Sequence, residues 1–167
     1  YDSNGEERRA MTFKSRGVRA LVMLQMAEMR RLFVVWNKAK RLGVKLPASR
    51  DPAYKDLDLL MRHPLRSCRR YLTWVCQGLE PREPGVPDPP EPKDVAAKGT
   101  AYLKVLERGW HKHMAWMPNK VLDSTVVYTS RWGSPMTVEA MLEHAAVHPM
   151  RHRFQLEELI AKRRKRG

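Results

Sequence analysis

Residues 137–155 read Thr137-Val138-Glu139-Ala140-Met141-Leu142-Glu143-His144-Ala145-Ala146-Val147-His148-Pro149-Met150-Arg151-His152-Arg153-Phe154-Gln155. Three histidines recur here at a strict spacing of four. Residues four apart on a helix lie one above another, so His144, His148 and His152 form a ladder. Thr137 is a good N-cap, and Glu139 in the first turn complements the helix dipole, so the spacing predicts a helix from Thr137 to about Arg163. At about 100° per residue, Met141, Leu156 and Leu159 fall within about 40° of Ala145 and define its apolar face. On that wheel His152 sits near the centre of the face, His148 about 60° off and His144 about 100° off, at the rim.

Two imidazoles one turn apart and turned inward need partners for their nitrogens. The ordinary reading of such a pair is two core histidines satisfied by hydrogen bonds. A divalent cation satisfies both at once, and His-x-x-x-His is the helical spacing that lets two nitrogens reach one metal. A third ligand must then come from another helix. His63 is available near the edge of an apolar face, and both His63 and His148 directly precede a proline, which frees a backbone carbonyl beside the ring.

Outward from this stretch, three more helices are expected. The first spans about 16–42, with Val18, Val22, Met29, Leu32, Trp36 and Ala39 as its stripe, Gln25 as the one polar member and Gly43 as its stop. A second runs from about Asp56 to Gln77, with Pro64 inside it and a kink expected there. A third covers about 94–117 and uses Tyr102, Leu106, Trp110 and Met117. Between the second and third, residues 80–93 hold six prolines and read as an extended loop, suited to draping over a neighbouring molecule. Val126-Val127-Tyr128 suggests a short strand or hairpin. The economical solution is a single all-α domain, an antiparallel four-helix bundle over 16–162 with long second and third connections, a Pro-rich loop at 79–93, a basic arm at 1–15 and a basic tail at 163–167.

The 167 residues carry 32 Lys and Arg against 18 acids, a formal +14. Residues 1–45 contribute +7 and residues 151–167 contribute +5, so the middle is nearly neutral. Basic ends on a neutral body point to a polyanion. Candidate nucleic-acid contacts are Arg8, Arg9, Lys14, Arg16 and Arg19 near the start, and Lys162, Arg163, Arg164, Lys165 and Arg166 at the end. Arg62, Arg66, Arg69 and Arg70 add a basic stripe on the second helix, whose ordinary reading is a solvated face. The longest apolar run, near Phe33 to Trp36, is far too short to cross a membrane. Cys68 and Cys76 lack a CxxC pattern and read as core thiols; with no secretory signal visible, they point to a reducing interior. The first methionine is Met11, as expected of a processed or trimmed product. Most of the five tryptophans fall on apolar stripes, which favours core packing over base stacking. His111 and His113 are two apart, cannot face one ion from a regular helix, and read as partner or surface groups.

The run Thr137-Val138-Glu139, Leu142-Glu143-His144 and His148-Pro149-Met150-Arg151-His152-Arg153-Phe154-Gln155 resembles the last helix of the DinB/YfiT-like superfamily, which reads T-v-x-x-x-L-x-H-x-x-x-H-x-x-x-H-R-G-Q. Leu59-Leu60-Met61-Arg62-His63 with Arg69-Arg70-Tyr71-Leu72 is similar to the family's second helix. The resemblance covers roughly residues 16–160. Phe154 stands where the family has glycine, and the basic ends lie outside its pattern. The resemblance implies a four-helix bundle whose three-histidine site holds Zn, Ni or a similar divalent ion. His63, His148 and His152 are the implied ligands. It also implies, as in some members, a metal-activated low-molecular-weight thiol in S-transfer or isomerisation.

Two functions follow as expectations. The charge distribution favours a non-catalytic subunit of a large ribonucleoprotein, such as a mitochondrial ribosome, docking on rRNA and neighbouring proteins in an organelle matrix or otherwise in the cytoplasm. The alternative is a metal-dependent thiol S-transferase or hydrolase, in which Glu143 and Asp123 are acid–base candidates by availability.

Overall fold

The computed structural model describes residues 12–79 and 83–164. Among them the chain is predominantly helical: α1 (Arg16–Arg41), α2 (Leu57–Leu79), α3 (Val95–Met114), the single-turn α4 (Asn119–Leu122) and α5 (Val138–Arg164). The expected hairpin exists, displaced by two residues, as β1 (Tyr128–Thr129) paired antiparallel with β2 (Pro135–Met136) in the register Tyr128↔Met136. Short 3-10 turns at Pro52–Tyr54 and Pro92–Asp94 lead into α2 and α3. No helix of the described residues is long and apolar enough to cross a membrane.

Local chemistry sets the helix ends. The buried Ser15 hydroxyl accepts from the Val18 N–H at 3.2 Å and starts α1. At the other end Gly43, with φ +61°, donates to the Lys40 carbonyl while Val44 donates to that of Ala39, each at 3.0 Å. This pair of bonds is a Schellman motif, and the left-handed residue at its centre favours glycine. Asp56 Oδ1 caps α2 by accepting from Asp58 and Leu59. Thr137 Oγ1 caps α5 by accepting from Ala140 at 3.1 Å. Pro64 and Pro149 both lie inside their helices, which continue through them. α2 also runs one residue past Gly78, and α3 ends three residues before the expected Met117, in a turn ahead of α4.

One continuous apolar core draws on all five helices, with Trp36 and Trp110 fully buried at its centre. Both indoles have acceptors: Trp36 Nε1 donates to the Leu57 carbonyl at 2.6 Å, and Trp110 Nε1 to Cys68 Sγ at 3.2 Å. The most extensive helix contact is between α1 and α5, which holds the histidine helix in place.

The described part of the Pro-rich loop lies on its own chain. Proline offers a carbonyl and no N–H, so such a segment is rich in acceptors and needs donors from elsewhere. Arg69 Nε donates to the Val86 carbonyl at 2.7 Å, Arg62 Nε to that of Pro90 at 2.9 Å, and the Tyr102 hydroxyl to that of Pro87 at 2.8 Å. Ion pairs Arg62–Glu91 and Arg69–Asp88, at 3.1 and 3.4 Å, add to the strap. Val86 is buried against Gly109, where a Cβ would lie 2.6 Å from its methyl carbon. The first connection, residues 42–56, is as long as the second, 80–94, which departs from the expected pattern.

The Schellman cap gives a direct check. Gly43→Ala should lower the free energy of unfolding in urea by about 1 kcal/mol, the cost of holding a Cβ in the left-handed region. An unchanged midpoint and slope would contradict the assigned cap.

Candidate metal centre

α2 contributes His63 and α5 contributes His148 and His152, and the structure brings the three together. Their ligating nitrogens lie within 4.8 Å of one another. His63 Nε2 and His148 Nε2 are 3.1 Å apart. Two imidazoles on one tetrahedral Zn, each at about 2.0–2.1 Å, stand about 3.3 Å apart, so this pair already has ligand spacing. The rings of His148 and His152 are 4.8 Å apart between centroids and nearly perpendicular, and His63 is edge-on to His152 at 5.3 Å.

The state of His152 decides the reading. It is completely buried, and neither Nδ1 nor Nε2 meets hydrogen-bond distance and angle with a partner among the described residues; the Gln155 side chain, three residues on, favours the charged ring without making such a bond. An unsatisfied buried polar atom costs about 1–3 kcal/mol. His111 Nε2 is also buried without a partner, but it stands away from the other imidazoles; His152 differs in having both nitrogens unpartnered, with His63 and His148 beside it. The donor set, three imidazoles and no thiolate or carboxylate, fits Zn and its neighbours in the first transition row.

Burial is the main cause of the histidines' low basicity. It holds the His148 imidazole down to about 2, helped by the nearby His152, His63 and Arg151. Burial and then His63 and Arg151 take His152 to about 4. His63 is lowered too, again mainly by burial, with Asp51 opposing the shift. All three are therefore neutral near pH 7, the form that ligates a metal.

The centre opens on a cleft of about 390 Å³, walled by His63, His148, Tyr71, Trp132 and His144. His144 stays out of the ligand cluster, at the rim as expected. Its Nε2 is 3.1 Å from the Tyr71 hydroxyl, and the Trp132 ring lies over it at 5.3 Å. Burial pushes the Tyr71 hydroxyl up to about 12, so it keeps its proton.

The remaining candidates fall elsewhere. His111 stacks edge-on against Phe13 at 5.0 Å, and His113 Nε2 meets the Pro84 carbonyl at 3.1 Å. Cys68 and Cys76 are buried; Cys68 Sγ accepts from Gln25 and Trp110, which explains the polar member of the α1 stripe, and burial pushes its thiol up to about 12. Glu143 and Asp123 are exposed and do not line the cleft.

The basic stripe on α2 divides. Arg62 and Arg69 are turned onto the Pro-rich loop, Arg70 lines the cleft, and Arg66 alone is exposed. Lys14, Arg16 and Arg19 are exposed around the start of α1, and Lys162, Arg163 and Arg164 at the end of α5, with Lys162 paired to Glu158. Arg8, Arg9, Lys165 and Arg166 lie outside the described residues.

Two features escaped the sequence reading. Glu28 is buried on α1, where it accepts from Arg153 Nε at 2.8 Å and Arg31 Nη1 at 2.5 Å, tying α1 to the residue after His152. Burial alone would raise its carboxyl, yet these two guanidiniums outweigh burial and hold it below the usual range. A charge beside the apolar stripe was the available signal. Of the five tryptophans, Trp36 and Trp110 are buried, Trp74 is half-buried, and Trp116 and Trp132 are 37% and 51% exposed, a correction to the expectation that most pack in the core.

Metal-free protein should lose stability as pH falls from about 6.5, the imidazole's value in the unfolded chain, towards 4. The unfolded chain takes up protons in this window while the buried rings resist them, a slope of about 1.4 kcal/mol per pH unit per ring. His152→Leu should flatten the profile and, without metal, stabilise the chain by about 1–3 kcal/mol by removing two orphaned nitrogens. Loss of stability in that variant, with an unchanged slope, would show that the ring is satisfied. Comparison with protein-family models, curated proteins and solved structures finds no significant match for this chain.

Proposed function

We propose that the chain is a metal-dependent protein of the DinB/YfiT type, in which α1, α2, α3 and α5 form an antiparallel four-helix bundle around one divalent ion, Zn or Ni. His63, His148 and His152 are its ligands, and the activity is low-molecular-weight-thiol S-transfer or hydrolysis. The observation that carries this reading is the orphaned, fully buried His152 beside a His63–His148 pair at 3.1 Å. A cation bound there supplies Lewis acidity and makes a thiol or water acidic near neutral pH.

The chain's own groups do the rest. His144 stands in the cleft wall, where the contact between its Nε2 and the Tyr71 hydroxyl, at 3.1 Å, fixes its ring. His152, with Tyr54 packed 5.9 Å from its ring, closes the inner side; His63 is reached both from the cleft and from a second one of about 300 Å³ lined by Asp51, Arg62 and Arg66.

A ribonucleoprotein role is the second reading, and the charge of the ends favours it: +7 over residues 1–45 and +5 over residues 151–167. It loses the support of Arg62, Arg69 and the Pro-rich loop, which are occupied with one another.

Elemental analysis after dialysis separates the readings. The intact chain and His111→Ala should keep a full equivalent of metal, while His63→Ala, His148→Ala and His152→Ala should each lose it. Equal metal in all four variants, or none in the intact chain, refutes the site. RNA affinity that falls steeply with salt, together with no thiol-transfer or hydrolytic turnover, supports the second reading instead.

A further inference from the structure

Three guanidiniums from three different elements line the cleft over the histidines. Arg70 comes from α2, two turns beyond His63; Arg131 comes from the β1–β2 turn; Arg151 comes from α5, between His148 and His152. No Asp or Glu lines this cleft. None of the three has an ion-pair partner among the described residues, which is also true of exposed arginines elsewhere such as Arg66 and Arg163; these three differ in sharing one cleft. Arg70 is held below its usual basicity mainly by burial, with Arg66 and Arg131 adding to the effect and Asp88 opposing it. Arg131 and Arg151 are exposed and Arg70 half-buried, so none of the three guanidiniums is used up by the fold, and three of them converging on one cleft make a lining suited to an anion.

The walls add a second requirement. The rings of Tyr71 and Trp132 are 6.2 Å apart and nearly perpendicular, with Trp74 beside them, and half of the Trp132 surface is open to solvent. The turn that carries Arg131 and Trp132 is held in place. Ser130 N–H donates to the Ser134 carbonyl at 2.8 Å, Ser134 N–H donates to Ser130 Oγ at 3.0 Å, and Trp74 Nε1 donates to the Thr129 carbonyl at 3.0 Å. An exposed indole on a fixed turn, in edge-on contact with a tyrosine and with half its surface open, offers a wall for a flat apolar body.

We propose that this cleft binds a planar organic oxyanion. Its carboxylate or phosphate group is taken by the guanidiniums of Arg70, Arg131 and Arg151, and its flat body lies against Trp132 and Tyr71. Which end of the ligand meets His63 and His148 rests on the metal-centre reading; the anion site does not.

Titration of the full-length chain with naphthoate, naphthyl phosphate and neutral naphthamide, followed by calorimetry and tryptophan fluorescence, tests this. At least one of the two anions should bind and quench the fluorescence, with naphthamide at least about tenfold weaker and added salt weakening the anion. The tighter of the two identifies the charged group. Arg131→Gln and Arg151→Gln, both at exposed positions, should each weaken anion binding about tenfold without changing metal content. His152→Leu should lose metal yet keep anion affinity within about threefold, so that failure of the metal reading and failure of the anion site give different results. Naphthamide binding as tightly as the anions, both arginine variants binding like the parent, or no binding by any probe would overturn the proposal. So would displacement of the anion by a short RNA at lower concentration, which would assign the guanidiniums to a nucleic acid.

Discussion

A neutral imidazole carries one donor and one acceptor, and a protein core that encloses it must provide for both or accept the cost. His152 is enclosed completely, and among the described residues neither nitrogen makes a bond of hydrogen-bond geometry. The surrounding groups are two further imidazoles, one of them also buried, rather than the carbonyls or hydroxyls that would quiet a structural histidine. This is destabilising for folding alone and sensible for a site that holds a cation. The other features near the centre can be read as consequences: the neutral state of the rings, the closed inner side, and the cleft that reaches His63 and His148 from outside.

The rest of the molecule holds that arrangement still. Glu28 and Arg153 clamp α1 to α5 directly beside His152, and the extensive α1–α5 contact fixes the helix that carries two of the three rings. α2, which carries the third, is braced from its far side by the Pro-rich loop through Arg62 and Arg69. The hairpin turn completes the cleft by adding a cation and an indole that no helix supplies. Charge inside the molecule is thus used in two ways: paired guanidiniums fasten loops and helices, and unpaired ones face the cleft.

Much of this was legible in the sequence, because the helices are amphipathic with a clean period. The α1 stripe from Val18 to Ala39 is buried as read, and the wheel on α5 ranked the three histidines in the order of their burial, His152 deepest and His144 at the rim. Convergence of His63 with His148 and His152 was also readable, since few other polar side chains pointed inward. What was missed depends on contacts distant in sequence. Nothing local in Arg62 or Arg69 tells whether the guanidinium meets water, phosphate or a proline carbonyl more than fifteen residues away. Trp132 sits in a short turn where no periodicity applies, so its exposure could not be inferred from a stripe. Glu28 was hidden because its partner Arg153 lies on the last helix.

X-ray absorption at the metal edge of the zinc-reconstituted chain is the most direct measurement of the central claim. It should show a nearest shell of nitrogen or oxygen only, at about 2.0–2.1 Å, with the outer scattering of three imidazoles. A shell containing sulfur at about 2.3 Å, or one with no imidazole scattering, would contradict it.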